Sequence, residues 1–95
     1  VEEDKFLPTV YSLYNNYPNP FNPTTTIKYD IPELSYVTIK IYTIVGEEVT
    51  TLLNEEQNAG RYQIQWNASE LASGVYFYRL QAGQFSDTKK LILMK

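Results

Sequence analysis

From Thr24 onward the chain alternates apolar and polar residues with a period of two. Only a strand, whose successive side chains face opposite sides, gathers such residues onto one apolar face. Ile27, Tyr29 and Ile31 alternate with Thr26, Lys28 and Asp30, and Val37, Ile39 and Ile41 with Thr38, Lys40 and Tyr42. The same spacing puts Tyr62, Ile64 and Trp66 on one face, and Tyr76, Tyr78 and Leu80 on another. β-branched and aromatic residues dominate these runs, which suits a pleated, half-buried surface.

Turn residues separate the runs. Pro32-Glu33-Leu34-Ser35 divides the first two strands, and Gly46 supplies a turn residue free to take a positive φ. The sequence predicts a short strand over Glu48–Leu53 and a polar loop over Asn54–Gly60, followed by strands over Arg61–Asn67, Val75–Gln81 and Phe85–Met94. Val10–Tyr14 is a further candidate strand, and Ala68–Ser73 is long enough for one helical turn. About seven short strands with no convincing helix predict an all-β fold, a small antiparallel immunoglobulin-like β-sandwich. Trp66 is expected in the core. Tyr76, just past the corner between the fifth and sixth strands, is placed either for a tyrosine corner or simply at the core edge.

The length, 95 residues, fits one domain. Nine tyrosines argue against disorder. With no cysteine or histidine, Cys/His zinc sites, thiol nucleophiles and His-based triads are excluded. A formal charge of −3 gives no basic footprint for nucleic acid. No run reaches the ~18 apolar residues of a membrane span. The opening residues show no secretory leader, as expected of a piece cut from the end of a longer protein. Glu47-Glu48 and Glu55-Glu56 are adjacent, so in a strand each pair diverges instead of converging on one bond. There is no calcium-loop spacing and no phosphate-cradling glycine motif, so no cofactor or metal is expected. Asn67-Ala68-Ser69 matches a glycosylation tripeptide and Pro20-Phe21-Asn22-Pro23 a loose PxxP pattern, both weakly specific.

Three features invite a binding role. Tyr36, Tyr42 and Phe77 fall on the outward parity of their strands and would form a sugar-stacking platform, making a carbohydrate-binding or structural accessory module of an extracellular enzyme the alternative reading. Lys89, Lys90 and Lys95 bracket the apolar last strand. They either protect a sheet edge or mark an end that a receptor reads, and an exposed last strand would also let two copies pair edge to edge as a homodimer. Finally, Asn15–Tyr29 packs Pro18, Pro20 and Pro23 around Tyr17 and Phe21. These aromatics are too large and apolar for a solvated linker. Both are expected to pack against the sandwich, making the segment an ordered crossing.

Asn16-Tyr17-Pro18-Asn19-Pro20-Phe21-Asn22-Pro23-Thr24-Thr25 resembles the signature that opens the C-terminal sorting domains of type IX (Por) secretion cargo, type A, in Bacteroidetes-type bacteria. Val37–Gly46, Ala59-Gly60 followed by Trp66, Ser73–Leu80 and Thr88–Lys95 resemble the family's later blocks in the same order. Tyr14-Asn15 and Ile44-Val45 depart from the usual residues at their positions. The resemblance implies an immunoglobulin-like sandwich over residues 10–95, related to the Ig-like domain of the flagellar hook-capping protein. Residues 1–9 would link it to an upstream cargo domain. It further implies a non-catalytic signal that directs cargo through the periplasm and an outer-membrane translocon to the cell surface or medium. A sortase-like protease would cut within or before Val1–Thr9. Carried over by position, the recognition candidates are Gly74, Tyr76, Arg79, Lys90 and Lys95, with backbone geometry an equal explanation for Gly74. The signature and packing residues are Tyr17, Pro18, Pro20, Phe21, Pro23 and Trp66.

Overall fold

The computed structural model describes residues 7–95, so most of the expected linker lies outside the described residues. Pro8, at that linker's end, is already buried. Seven strands follow: β1 (Ser12–Leu13), β2 (Thr24–Ile31), β3 (Ser35–Thr43), β4 (Glu48–Gln57), β5 (Gly60–Asn67), β6 (Gly74–Ala82) and β7 (Phe85–Leu93). They form a three-stranded sheet, β1-β2-β5, facing a four-stranded sheet, β4-β3-β6-β7, with every pairing antiparallel. In a constant-type immunoglobulin domain the fourth strand lies beside the fifth. Here it lies beside the third.

The alternation becomes the core directly. Ile27, Tyr29 and Ile31 of β2 face Val37, Ile39 and Ile41 of β3, Tyr78 and Leu80 of β6, and Leu91 and Leu93 of β7, all essentially inaccessible to solvent. Two core tyrosines keep their hydroxyls satisfied. Tyr29 donates to Gln57 Oε1 (2.8 Å) and Tyr78 to the Tyr14 carbonyl (2.7 Å). Burial pushes both phenols up to about 12.

Three local expectations are corrected. β4 does not stop at Leu53 but continues through Asn54, Glu55 and Glu56 to Gln57, pairing with Ser35–Thr38. It is an edge strand, and charged residues belong on an edge, where they discourage pairing with other chains. The first strand is two residues long instead of five. Ala68–Ser73 contains a turn closed by Leu71 N–H to Ala68 O (3.0 Å), not a helical turn.

The proline-rich segment is an ordered crossing from one sheet to the other. Tyr17 and Thr26 exchange both backbone hydrogen bonds (3.0 and 2.9 Å), which anchors it to β2. Buried Asn16 donates to Thr25 Oγ1 (3.0 Å), which donates to the Pro18 carbonyl (2.9 Å). The Tyr17-Pro18, Asn19-Pro20 and Asn22-Pro23 bonds are cis. At the far end Phe21 N–H donates to Ile92 O (2.9 Å) and Met94 N–H donates to Phe21 O (2.9 Å). The side chain of Asn19 lies beside this bridge, its Oδ1 accepting from Ile92 N–H (3.0 Å) and its Nδ2 reaching Lys90 O (3.5 Å).

Register decides what the two signature aromatics do. Directly opposed residues share a face. Phe21 is opposite inward-facing Leu93, so its ring enters the core, 2% exposed and 5.9 Å between centroids from Trp66. Tyr17 is opposite Thr26, on the outer face, and is 81% exposed. The expectation that Tyr17 packs against the sandwich is therefore overturned: its backbone is fixed, but its ring points to solvent. Pro18 and Pro20 are exposed and Pro23 is half-buried.

Candidate recognition surface

The five recognition candidates separate into two groups. Gly74, Tyr76 and Lys95 meet at the β5–β6 corner. Tyr76 donates its hydroxyl to Ala72 O (2.7 Å), four residues upstream, which is the bond of a tyrosine corner. Gly74 opens β6 at φ 156°, a conformation that side-chain-bearing residues rarely adopt. A Cβ there would meet nothing within 4 Å, so the backbone angle is the constraint and not crowding. Lys95 folds back onto the same corner. Its ammonium donates to Ser69 O (2.6 Å) and Leu71 O (2.7 Å), and its backbone N–H donates to Ser73 Oγ (3.0 Å). The ammonium satisfies two carbonyls of the turn, much as a cation satisfies the last carbonyls of a helix.

Arg79 and Lys90 lie elsewhere, exposed on the outer face of the four-stranded sheet. Arg79 sits opposite Lys40 on β3 and Thr88 on β7, and Lys90 sits opposite Phe77. The two cations are therefore diagonal neighbours across the β6–β7 pair, separated by roughly 7–8 Å at the backbone. Tyr42 sits opposite Phe77, so the outward parity read from the sequence does bring these aromatics onto one surface. Tyr36, Lys40, Tyr42, Arg79 and Gln81 line a groove of about 380 Å³ on it. Glu48 draws Lys40 toward the β4 side at 3.4 Å. Among the described residues no cluster of three or more acidic side chains is arranged to hold a metal ion.

The other sheet carries one polar cluster that sequence reading passes over. Asp30 has outward parity yet is 5% exposed, because Tyr14 and Arg61 cover it. Its Oδ2 accepts from Tyr14 OH (2.5 Å) and Arg61 Nη1 (3.0 Å), and the carboxylate pushes the Tyr14 phenol up. Arg61 is opposite Asp30 in register, but that register spans 31 residues and no local signal reveals it. Asn19 was likewise passed over, although an asparagine between prolines, with both a donor and an acceptor, is well suited to cover a strand edge.

Two solved structures share the architecture. Dimeric latent PorU from Porphyromonas gingivalis matches with a TM-score of 0.69 at 20% identity, over 92% of this chain and 9% of PorU. PorZ of the same organism, an essential bacterial surface component of the type-IX secretion system, matches with a TM-score of 0.58 at 22% identity, over 88% of this chain and 12% of PorZ. The chain thus spans about a tenth of either protein, and the likeness is one of fold. No curated protein matches it. The family model described as the secretion system C-terminal sorting domain matches residues 15–94, from the proline signature through the strand it is bonded to. The chain belongs to that family, the type IX sorting domains its signature resembles.

Proposed function

We propose that this domain is the export address of a longer protein, read in its folded form by an outer-membrane translocon and without catalytic activity of its own. The cargo would reach the cell surface or medium, with a sortase-like protease cutting upstream of the sandwich, within or before residues 1–9. The family match over residues 15–94 carries the reading. The structure supports recognition of the folded unit, because the signature and the last strand, far apart in sequence, are joined at one sheet edge. The recognition residues are then Arg79 and Lys90, while Gly74, Tyr76 and Lys95, whose exposed ammonium is engaged with the turn carbonyls, act by shaping the corner. The signature also covers part of β7 from Lys90 onward, leaving, among the described residues of that strand, Ser86–Lys89 open for pairing with a second copy.

The test is a fusion of residues 1–95 to a periplasmic reporter in a host with the secretion system, followed by fractionation. Retention in the periplasm sinks the proposal. Deleting Leu91–Lys95 is a poor probe of end recognition, since Leu91 and Leu93 are core residues and their loss unfolds the domain. Lys90→Ala and Lys95→Ala leave the core intact and separate recognition from folding. The groove between Tyr36 and Tyr42 favours a second reading, a polysaccharide-binding module. Retardation on polysaccharide affinity gels that is lost in Tyr42→Ala would support that module. Unretarded migration on every gel would exclude it.

A further inference from the structure

The turn joining β3 to β4 breaks the chemistry of turns. Such positions favour Gly, Pro, Asn, Asp and Ser. Here Ile44 and Val45 stand at the tip, 68% and 77% exposed, although the turn is already closed by backbone bonds from Gly46 N–H to Thr43 O (2.9 Å) and from Thr43 N–H to Glu47 O (2.8 Å). Neither side chain belongs to the core or packs against it. Two β-branched aliphatics exposed with no folding benefit are the kind of local inconsistency that marks a functional surface.

Their surroundings specify that surface. Tyr42, Ile44, Val45, Phe77, Arg79 and Thr88 line a groove of about 440 Å³ between the turn and the outer face of β6 and β7. None of its lining residues is acidic. Lys90, opposite Phe77, stands at its rim. Among the described residues neither Arg79 nor Lys90 has an ion-pair partner, whereas Lys40 and Lys89 are drawn to Glu48 and Asp87. A chain of net charge −3 thus presents an apolar groove bordered by two unpaired cations. Guanidinium and ammonium groups at the border of an apolar patch favour carboxylates flanking an apolar anchor, by charge complementarity. The depression is shallow, and a segment carrying both apolar and acidic side chains would reach Ile44, Val45, Phe77 and both cations together.

We propose that this groove docks an acidic, apolar-anchored polypeptide segment of the export machinery, Ile44, Val45 and Phe77 receiving its apolar side chains and Arg79 and Lys90 its carboxylates. This rests on the sorting function proposed above and names the chemistry of the partner.

The test uses the reporter fusion in the secreting host, with p-benzoylphenylalanine at position 45 and, as a control, at position 63 on the opposite sheet. Photolysis is expected to yield an adduct from position 45 only, on a protein segment containing Asp or Glu beside apolar residues. The double reversal Arg79→Glu/Lys90→Glu is expected to cut export by about tenfold or more, with Arg79→Lys retaining most of it. Val45→Ser, at the turn tip where folding is insensitive, is expected to show a loss of the same sign. An adduct on lipid or on a basic segment overturns the proposal, as does export within about twofold of normal in the reversal or in Val45→Ser. If the unsubstituted fusion stays in the periplasm, the sorting function itself fails. If it is exported and these variants are too, only the groove assignment falls.

Discussion

Replacing Phe21 by alanine, beside a matched Tyr17→Ala, tests what the proline signature does for the fold. The two aromatics are four residues apart in one motif, yet Phe21 is 2% exposed and Tyr17 81%. In Phe21→Ala the backbone bridge to Ile92 and Met94 remains, so the loss is that of the ring alone. Removing a buried aromatic ring from its apolar site costs about 2 kcal/mol in transfer free energy. A void on the order of 100 Å³ beside Trp66, at ~24 cal/mol per Å³, adds as much as about 2.4 kcal/mol if the neighbours do not relax. The sum, about 3–5 kcal/mol, compares with a total stability of roughly 5–14 kcal/mol for a chain of this length. With a urea slope of about 1 kcal/mol per molar, the midpoint falls by several molar or the variant is unfolded in water. Tyr17→Ala should stay within about 0.5 kcal/mol of the parent. Urea unfolding followed by Trp66 fluorescence measures both. A Phe21→Ala cost below about 1 kcal/mol, or a Tyr17→Ala cost equal to it, would refute the division of the motif into a core residue and a surface residue.

Three further outcomes follow from the hydrogen bonds and burial. Tyr29 and Tyr78 titrate near 12 when folded and near 10 when unfolded, so they stabilise the fold fully below pH 10 and that contribution is lost as pH rises through 12. Ultraviolet phenolate titration should show a late phase that shrinks by two tyrosines in Tyr78→Phe/Tyr29→Phe, Tyr14 remaining raised beside Asp30; an unchanged late phase contradicts their burial. Tyr76→Phe removes the bond to Ala72 O and should cost about 1 kcal/mol in denaturant unfolding, with no measurable change counting against a structural corner. Lys95→Ala removes two ammonium–carbonyl bonds at an exposed site and should cost less than about 1 kcal/mol. Loss of export at that small cost, read from the reporter fusion, would return Lys95 to the recognition surface.

Period-two alternation made the strands and their inward faces legible, because burial on one face acts on every second residue of the same segment. Trp66 was readable for the same reason, whereas the pattern places Tyr76 at either a corner or the core edge, and only its bond to Ala72 O decides for the corner. Asn54–Gln57 was misread as loop because its residues report the solvent of an edge and not the hydrogen bonds to β3. The Asp30–Arg61 pair and the Phe21–Leu93 bridge depend on contacts between segments far apart in the chain, which no short window of sequence contains. Tyr17 was misjudged because its chemistry suggests burial while its register, set by Thr26, forbids it. At the candidate surface the outward parity of Arg79 and Lys90 was legible, whereas the packing of Lys95 onto Ser69 and Leu71 was not, because it joins residues 26 and 24 apart.

The bridge from Phe21 and Asn19 to Ile92 and Met94 also imposes an order on synthesis. A ribosome makes the signature first, and its partners emerge some seventy residues later. Until β7 has left the exit tunnel, Phe21 lacks Leu93 and Ile92, and the core lacks Leu91. A chain released short of that point displays an unclosed sandwich with no assembled edge. A chain cut before β7 therefore lacks the joined edge, however intact its signature.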